Sequence, residues 1–220
     1  MISTTPSDGG FPGRDCGLCP RLATYRNENR ISEPAWHNAP ALPFGSEDAR
    51  LLIVGLAPGR TGANRTGRVF TGDSSGRVLF DALLATGWAE GRYSDDGRDD
   101  VRLKACRISN AVLCAPPGNR PLSDEQSACR LYLKATIAAM RRLEVIVTLG
   151  DIARHNVLKV LDLPSSSMAR GHGSQAHLAG LTLINTYHCS RLNMNTGRLT
   201  PNMLSDIFIR ARACLKTTGV

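Results

Sequence analysis

Four short apolar runs, Arg50 to Gly55, Ile108 to Leu113, Val145 to Leu149 and Leu181 to Thr186, constrain the fold of this chain more than any other feature. Each is leucine-rich or β-branched, is bounded by turn residues and lacks apolar–polar alternation, so each is expected to be a strand covered on both faces. Parallel strands need helical crossovers, and the intervening segments carry helix starts. Ser123-Asp124-Glu125-Gln126 has the pattern of a capping box, opening a helix expected to run to about Arg142. Ser75 before Gly76 to Ala85, Asp151 before Ile152 to Leu161, and Thr200 with Pro201 in the first helical position mark three more. The expected fold is α/β: a single-domain three-layer α/β/α sandwich around a central four-stranded, mainly parallel sheet, with its ligand site at the carboxyl ends of the strands. The stretch from Leu163 to Gly180 is expected to be a long loop or a hairpin.

Length and charge narrow the function. A chain of 220 residues can bury one full core. Residues 1–13, rich in Ser, Thr, Pro and Gly, are expected to be a flexible lead-in to a single domain over 14–220, and they lack the basic start and apolar core of a secretory signal. No apolar run approaches a membrane span, so a soluble, cytoplasmic monomer is expected. Lys and Arg number 27 against 19 acidic residues. Residues 1–100 hold 11 basic and 13 acidic side chains, and residues 101–220 hold 16 and 6, so the second half carries the whole surplus. Of the basic residues 23 are Arg, which can fork onto phosphate, and the balance points to a polyanion such as nucleic acid.

The first strand runs into Gly55-Leu56-Ala57-Pro58-Gly59 and then a glycine-rich basic loop bearing Arg60, Arg65 and Arg68. It is not a phosphate-binding Walker loop, because Gly62 to Gly67 is followed by Arg68-Val69 instead of Lys-Ser or Lys-Thr, which weakens a phosphotransferase reading. Seven cysteines, an odd number, argue against a complete disulfide framework. Cys16 and Cys19 form a C-x2-C knuckle, and Cys114 and Cys129 form a second pair about a hundred residues later. Four thiolates suit an iron–sulfur cluster or a tetrahedral zinc ion, and spacing does not separate the two. Cys106, Cys189 and Cys214 are expected to be packed or free thiols, and His172 and His177 have no accompanying ligands.

Taken together, these segments resemble the uracil-DNA glycosylases, and within them the iron–sulfur branch called family 5. Gly55 to Gly59 resembles that branch's first motif, with apolar Leu56 and Ala57 where other branches carry an acidic residue or Asn. Phe70 to Gly76 resembles its phenylalanine and aspartate segment, Asn110 to Arg120 its asparagine strand and Pro-Pro-Gly-Asn loop, and His188 to Asn193 its histidine loop. The resemblance spans residues 16 to about 212. It implies a [4Fe–4S] cluster on Cys16, Cys19, Cys114 and Cys129, with zinc as the alternative. It also implies a DNA partner containing uracil or other deaminated bases, whose N-glycosidic bond is hydrolysed.

That reaction needs a pocket that stacks a flipped base, reads its edge, stabilises the leaving base and places a water. Phe70 offers a stacking face beside Gly55 and Ala57, and the Asn110 amide matches the N3–H and O4 edge of uracil. His188 can donate to O2 as charge builds on the base, and Asp73 can orient or deprotonate the water. Arg60, Arg65, Arg68, Arg120 and Ser190 are the expected DNA contacts. Each has a plainer use: Phe70 as core, Asn110 closing a strand, Asp73 capping a helix, His188 fixing a loop. The alternative function is a non-catalytic nucleic-acid-binding protein with a metal site on the same scaffold, which would have no need of the Phe70, Asp73, Asn110 and His188 set. One departure stands out: the family's His-Pro-Ser is here His188-Cys189-Ser190. Without the proline, the loop that presses on the DNA backbone loses a fixed φ.

Overall fold

The structure, a computed structural model, describes residues 10–216, so the lead-in expected over residues 1–13 lies outside the described residues as far as residue 9. In chain order the elements are α1 (Pro20–Ser32), β1 (Leu51–Gly55), α2 (Ala63–Thr66), α3 (Ser74–Ala85), β2 (Ala89–Glu90), β3 (Arg102–Leu103), β4 (Cys106–Asn110), α4 (Ser123–Ala139), β5 (Val145–Leu149), α5 (Asp151–Val160), β6 (Gln175–Leu178), β7 (Leu181–Thr186), α6 (Arg191–Asn195) and α7 (Pro201–Ala213). The central sheet has the order β4-β1-β5-β7-β6, and its first four strands are parallel. The fifth strand, β6, pairs antiparallel with β7 through the turn at Ala179 and Gly180, both at positive φ. The undetermined stretch thus contains a hairpin arm, and the sheet has five strands where four were expected.

Strand alternation sorts the core into two layers. Leu51, Ile53, Ile108, Val145 and Val147 face α3 and α7, while Leu52, Val54, Ile146 and Leu183 face α4 and α5. Both faces are covered, which is why these strands read as unbroken apolar runs. A third cluster, outside the sheet, gathers Leu22 of α1, Val112, Leu113, Cys129 and Tyr132. This cluster explains one correction: the second strand runs from Cys106 to Asn110, not from Ile108 to Leu113. Val112 and Leu113 are buried against α1 and α4, and loop burial of this kind looks like strand burial in a sequence.

Helix starts moved in three places. Asp73, not Ser75, caps α3, accepting from the Gly76 N–H at 3.0 Å. Helix α4 is capped one residue early, with the Glu125 carboxylate accepting from the Leu122 N–H at 2.7 Å, and it ends at Ala139, short of Arg142. Asp151 lies inside α5 and holds the Asn185 amide at 2.8 Å instead of capping. Thr200 caps α7 as expected, with Pro201 in the first turn.

Candidate active site

The parallel strands all end at one edge of the sheet, and the loops leaving β1, β4 and β7 enclose a cleft of about 590 Å³ there. Its lining includes Ala57, Arg60, Phe70, Asp73, Asn110, His188 and Ser190. Register explains the floor. Gly55 and Asn110 are paired at the ends of β1 and β4, and a Cβ on Gly55 would stand 2.4 Å from Asn110 Oδ1 and 2.5 Å from Phe70 Cζ. The missing side chain leaves room for both groups. Asn110 is 2% exposed, and its Oδ1 is buried with no hydrogen-bond partner. A buried acceptor left unmatched is costly, so it is the atom most in want of a donor from a ligand.

Phe70 sits at φ 53°, a left-handed conformation that is unfavourable for a bulky side chain. Two contacts hold it there. Gly76 lets the Phe70 carbonyl pack against the start of α3, where a Cβ would come within 2.1 Å, and the Tyr93 hydroxyl donates to the same carbonyl at 3.4 Å. The Phe70 ring lies 6.2 Å from the His188 ring at a tilt of 31°, so the two flank the space in front of Asn110. Asp73 has two different oxygens. Oδ1 caps α3, whereas Oδ2 is cradled by Gly62 and Gly59, where added Cβ atoms would approach to 2.3 and 2.8 Å. One side chain thus both caps α3 and lines the cleft.

His188 is reached from the end of β7. Burial pushes its imidazole below the ordinary value, outweighing the upward pull of Asp73, so the ring is neutral at pH 7. The Asn193 amide fixes the His188 carbonyl at 2.8 Å, and Ser190 caps α6 through the Asn193 N–H. Cys189, in the place of the family's proline, is fully buried, and its thiol donates to the Ser75 carbonyl at 3.4 Å. The histidine loop is thus tied to α3 by a thiol, and burial pushes that thiol up to about 12, leaving it protonated.

The expected DNA contacts divide. Arg60 lines the cleft, lies 4.9 Å over the Trp36 ring and donates to Asn29 of α1 at 2.7 Å. Ser190 lines it too, and Arg120 is exposed beside cleft-lining Asn119. Arg65 instead braces the glycine loop from inside, donating to the Thr61, Gly72 and Asp95 carbonyls. Arg68 forks onto Asp99, whose carboxylate is 3% exposed, and is packed among Phe44, Phe80 and Tyr93. Neither Arg65 nor Arg68 lines the cleft. Replacing Arg68 by Ala should lower stability by about 3 kcal/mol, the usual cost of orphaning one member of a buried pair, whereas Arg60→Ala should leave the urea midpoint near wild type. Equal midpoints for the two variants would contradict this division. Arg191, which also lines the cleft, escaped the sequence reading, although it follows Ser190 directly.

Away from the cleft, Cys16, Cys19, Cys114 and Cys129 line one pocket together with Arg26 and Tyr132. Burial pushes Cys19 and Cys114 up to about 11 and Cys129 up to about 12. No three cysteine, histidine or acidic side chains among the described residues are gathered into a ready single-ion site. Three of the four sulfurs have a neighbouring donor: Tyr132 Oη lies 3.6 Å from Cys16, Arg26 donates to Cys114 at 3.7 Å and the Leu113 N–H to Cys129 at 3.3 Å. His172 and His177 bond the hydroxyls of Thr186 and Thr182.

Residues 42–212 match the family model described as the uracil DNA glycosylase superfamily. The chain is 40% identical over 203 residues to the type-5 uracil-DNA glycosylase of Pyrobaculum aerophilum, covering 90% of this chain and 88% of that one. It is 40% identical over 204 residues to the type-5 uracil-DNA glycosylase of Thermus thermophilus, covering 90% and 92%. To the Mycobacterium tuberculosis protein of the same description it is 42% identical over 207 residues, covering 90% and 77%.

Proposed function

This chain belongs to the uracil-DNA glycosylase superfamily, and on that premise we propose that it is a uracil-DNA glycosylase of type 5, a hydrolase that removes uracil from DNA in base excision repair. The partnerless Oδ1 of Asn110 at the floor of the cleft carries the reading. Uracil presents an N–H donor at N3 beside the O4 carbonyl, so N3–H satisfies that oxygen, whereas cytosine presents an acceptor at N3 and leaves it orphaned. Hypoxanthine and xanthine carry the same lactam N–H next to a carbonyl, and we extend the substrate class to these deaminated bases.

In this mechanism the flipped base enters between Phe70 and His188, the pair that flanks Asn110. As the C1′–N bond breaks, its electron pair moves onto the base, and neutral His188 donates a hydrogen bond to O2, where charge develops. Water adds to C1′ on the opposite side. Asp73 Oδ2, facing the cleft between Gly59 and Gly62, orients that water, accepts its proton and opposes the cationic sugar. Because burial lowers the pKa of His188, its half-protonation falls below its ordinary value of 6.5. The single-turnover rate should therefore run flat from pH 8 down through 6.5, with any loss from His188 at lower pH. A tenfold drop per pH unit starting at 6.5 and abolished by His188→Ala would show instead that the ring titrates as an ordinary exposed histidine.

DNA grip is assigned to Arg60, Arg120 and Ser190, with Arg191 added at the rim. Removing one phosphate contact, as in Arg60→Ala, should weaken binding similarly across sequences and reduce the salt slope by about 1. An unchanged slope would take Arg60 out of the interface.

The four-cysteine pocket is proposed to hold a [4Fe–4S] cluster, with zinc as the alternative. The donor set fits a thiolate-bound group: four sulfurs share one pocket with the buried Arg26. Four thiolates serve a cluster and a tetrahedral zinc ion alike, so the metal assay and not the ligand set decides between them. Such a group would anchor α1 to α4, and its role would be structural. Purified protein should be brown, and Cys114→Ser should bleach it. Colourless folded protein with one equivalent of zinc would replace the cluster by an ion.

A further inference from the structure

Arg26 of α1 is a buried charge without a carboxylate. It is 5% exposed and belongs to no ion pair among the described residues. Asp15, the acid whose field it shares, is instead paired with Arg30 at 2.6 Å. One guanidinium nitrogen donates to Cys114 Sγ at 3.7 Å, another to the Cys16 carbonyl at 2.9 Å, and Nε is buried with no partner. A guanidinium cannot shed its proton, so removing it from water demands an anion close by. Among the described residues, the acidic side-chain groups lining the pocket around it are the thiols of Cys16, Cys19, Cys114 and Cys129 and the hydroxyl of Tyr132.

We propose that Arg26 is a positioning residue of the four-cysteine site, balancing the negative charge that four thiolates leave on a bound metal group and hydrogen-bonding the Cys114 sulfur. Four thiolates carry four negative charges, and a zinc ion or an oxidised [4Fe–4S] core returns two positive ones. The loaded site therefore holds about two excess negative charges in a largely apolar setting. Arg26 offsets one of them from 3.7 Å. Its donation lowers the basicity of the Cys114 thiolate and makes addition of an electron easier, which raises the potential of a cluster. Packing alone does not require this arrangement, since a methionine or leucine would fill the same space without bringing a charge inside.

The inference rests on the cysteine pocket being a metal site, and the test separates the two claims. Wild type, Arg26→Gln and Arg26→Lys are purified, checked for native circular dichroism and assayed for iron and zinc, then for the rate of metal release to excess chelator. Where iron is present the midpoint potential is also measured. Arg26→Gln should release metal at least tenfold faster than wild type and shift a cluster to lower potential. Arg26→Lys, which keeps the charge but loses the planar fork, should fall between. If Arg26→Gln does not fold, metal retention and potential in Arg26→Lys decide, and wild-type values there overturn the requirement for a forked donor at Cys114. Loaded wild type with unchanged release and potential in folded Arg26→Gln overturns the role of Arg26 and leaves the metal site standing. Wild type carrying neither metal overturns both.

Discussion

Asp73→Asn is expected to slow single-turnover cleavage of uracil-containing DNA by about 10²–10⁴-fold while leaving stability and DNA affinity close to wild type. The substitution is selective because the two carboxylate oxygens have different surroundings, one bonded to the Gly76 N–H and the other beside Gly59 and Gly62. Asparagine caps helices as well as aspartate does, so the bond from the Gly76 N–H survives and α3 keeps its start. What disappears is the negative charge and the proton acceptor at the position between Gly59 and Gly62. Leu56 and Ala57, the residues where other branches place an acid or Asn, cannot take over. A variant that cleaves at the wild-type rate under chemistry-limited conditions would reduce Asp73 to a cap.

Gly55→Ala should be nearly as damaging although it adds a single methyl group and touches no reacting atom. That methyl would lie 2.4 Å from Asn110 Oδ1 and 2.5 Å from Phe70 Cζ, so one of the two must move. Phe70 is already held in a left-handed conformation by Gly76 and Tyr93, and Asn110 is fixed in β4, so neither yields cheaply. A displacement of the order of 1 Å at a positioning group can cost about 10²-fold in rate. The loss should appear in single-turnover cleavage, with the salt dependence of DNA binding intact. Cleavage within twofold of wild type would mean that the floor of the cleft is soft and that Asn110 does not read the base from this position.

Legibility in the sequence followed physical isolation. β5 and β7 lie deep in the sheet, and their β-branched runs match the observed strands residue for residue. β4 was displaced toward Leu113 because Val112 and Leu113 are equally buried, but against α1 and α4. The stretch holding β6 reads equally as loop or hairpin because its alternation of exposed and half-buried positions is only four residues long and lies in a Ser- and Gly-rich segment. For the cleft, Ala57, Phe70, Asp73, Asn110, His188 and Ser190 could be named from motif order, and the structure places them in one lining. What motifs could not convey was which arginines are already engaged. Arg60 and Arg68 are separated by only eight positions in one basic loop, yet Arg60 lines the cleft while held at its surface by Asn29, Trp36 and a half-exposed Glu33 at 3.5 Å, and Arg68 is enclosed with Asp99 and three aromatic rings. Nor could they reveal that Arg26, ten residues beyond Cys16, points back at the cysteine pocket.

The two halves of the cysteine quartet stand far apart in the chain, Cys129 lying 110 positions after Cys19. A ribosome adding about 5–20 residues per second takes roughly 5–20 s to bridge that distance. For most of that interval the first pair of thiols has been made without either partner, and Cys129 comes last. If the pocket holds the metal group proposed above, its loading is a late event in the life of each molecule, completed after β1 and β4 have been made and after the floor of the cleft has both of its sides. On that proposal, a cell short of metal would accumulate chains that are fully synthesised, hold a formed sheet, and still lack the fastening of α1, the helix whose Asn29 Arg60 bonds.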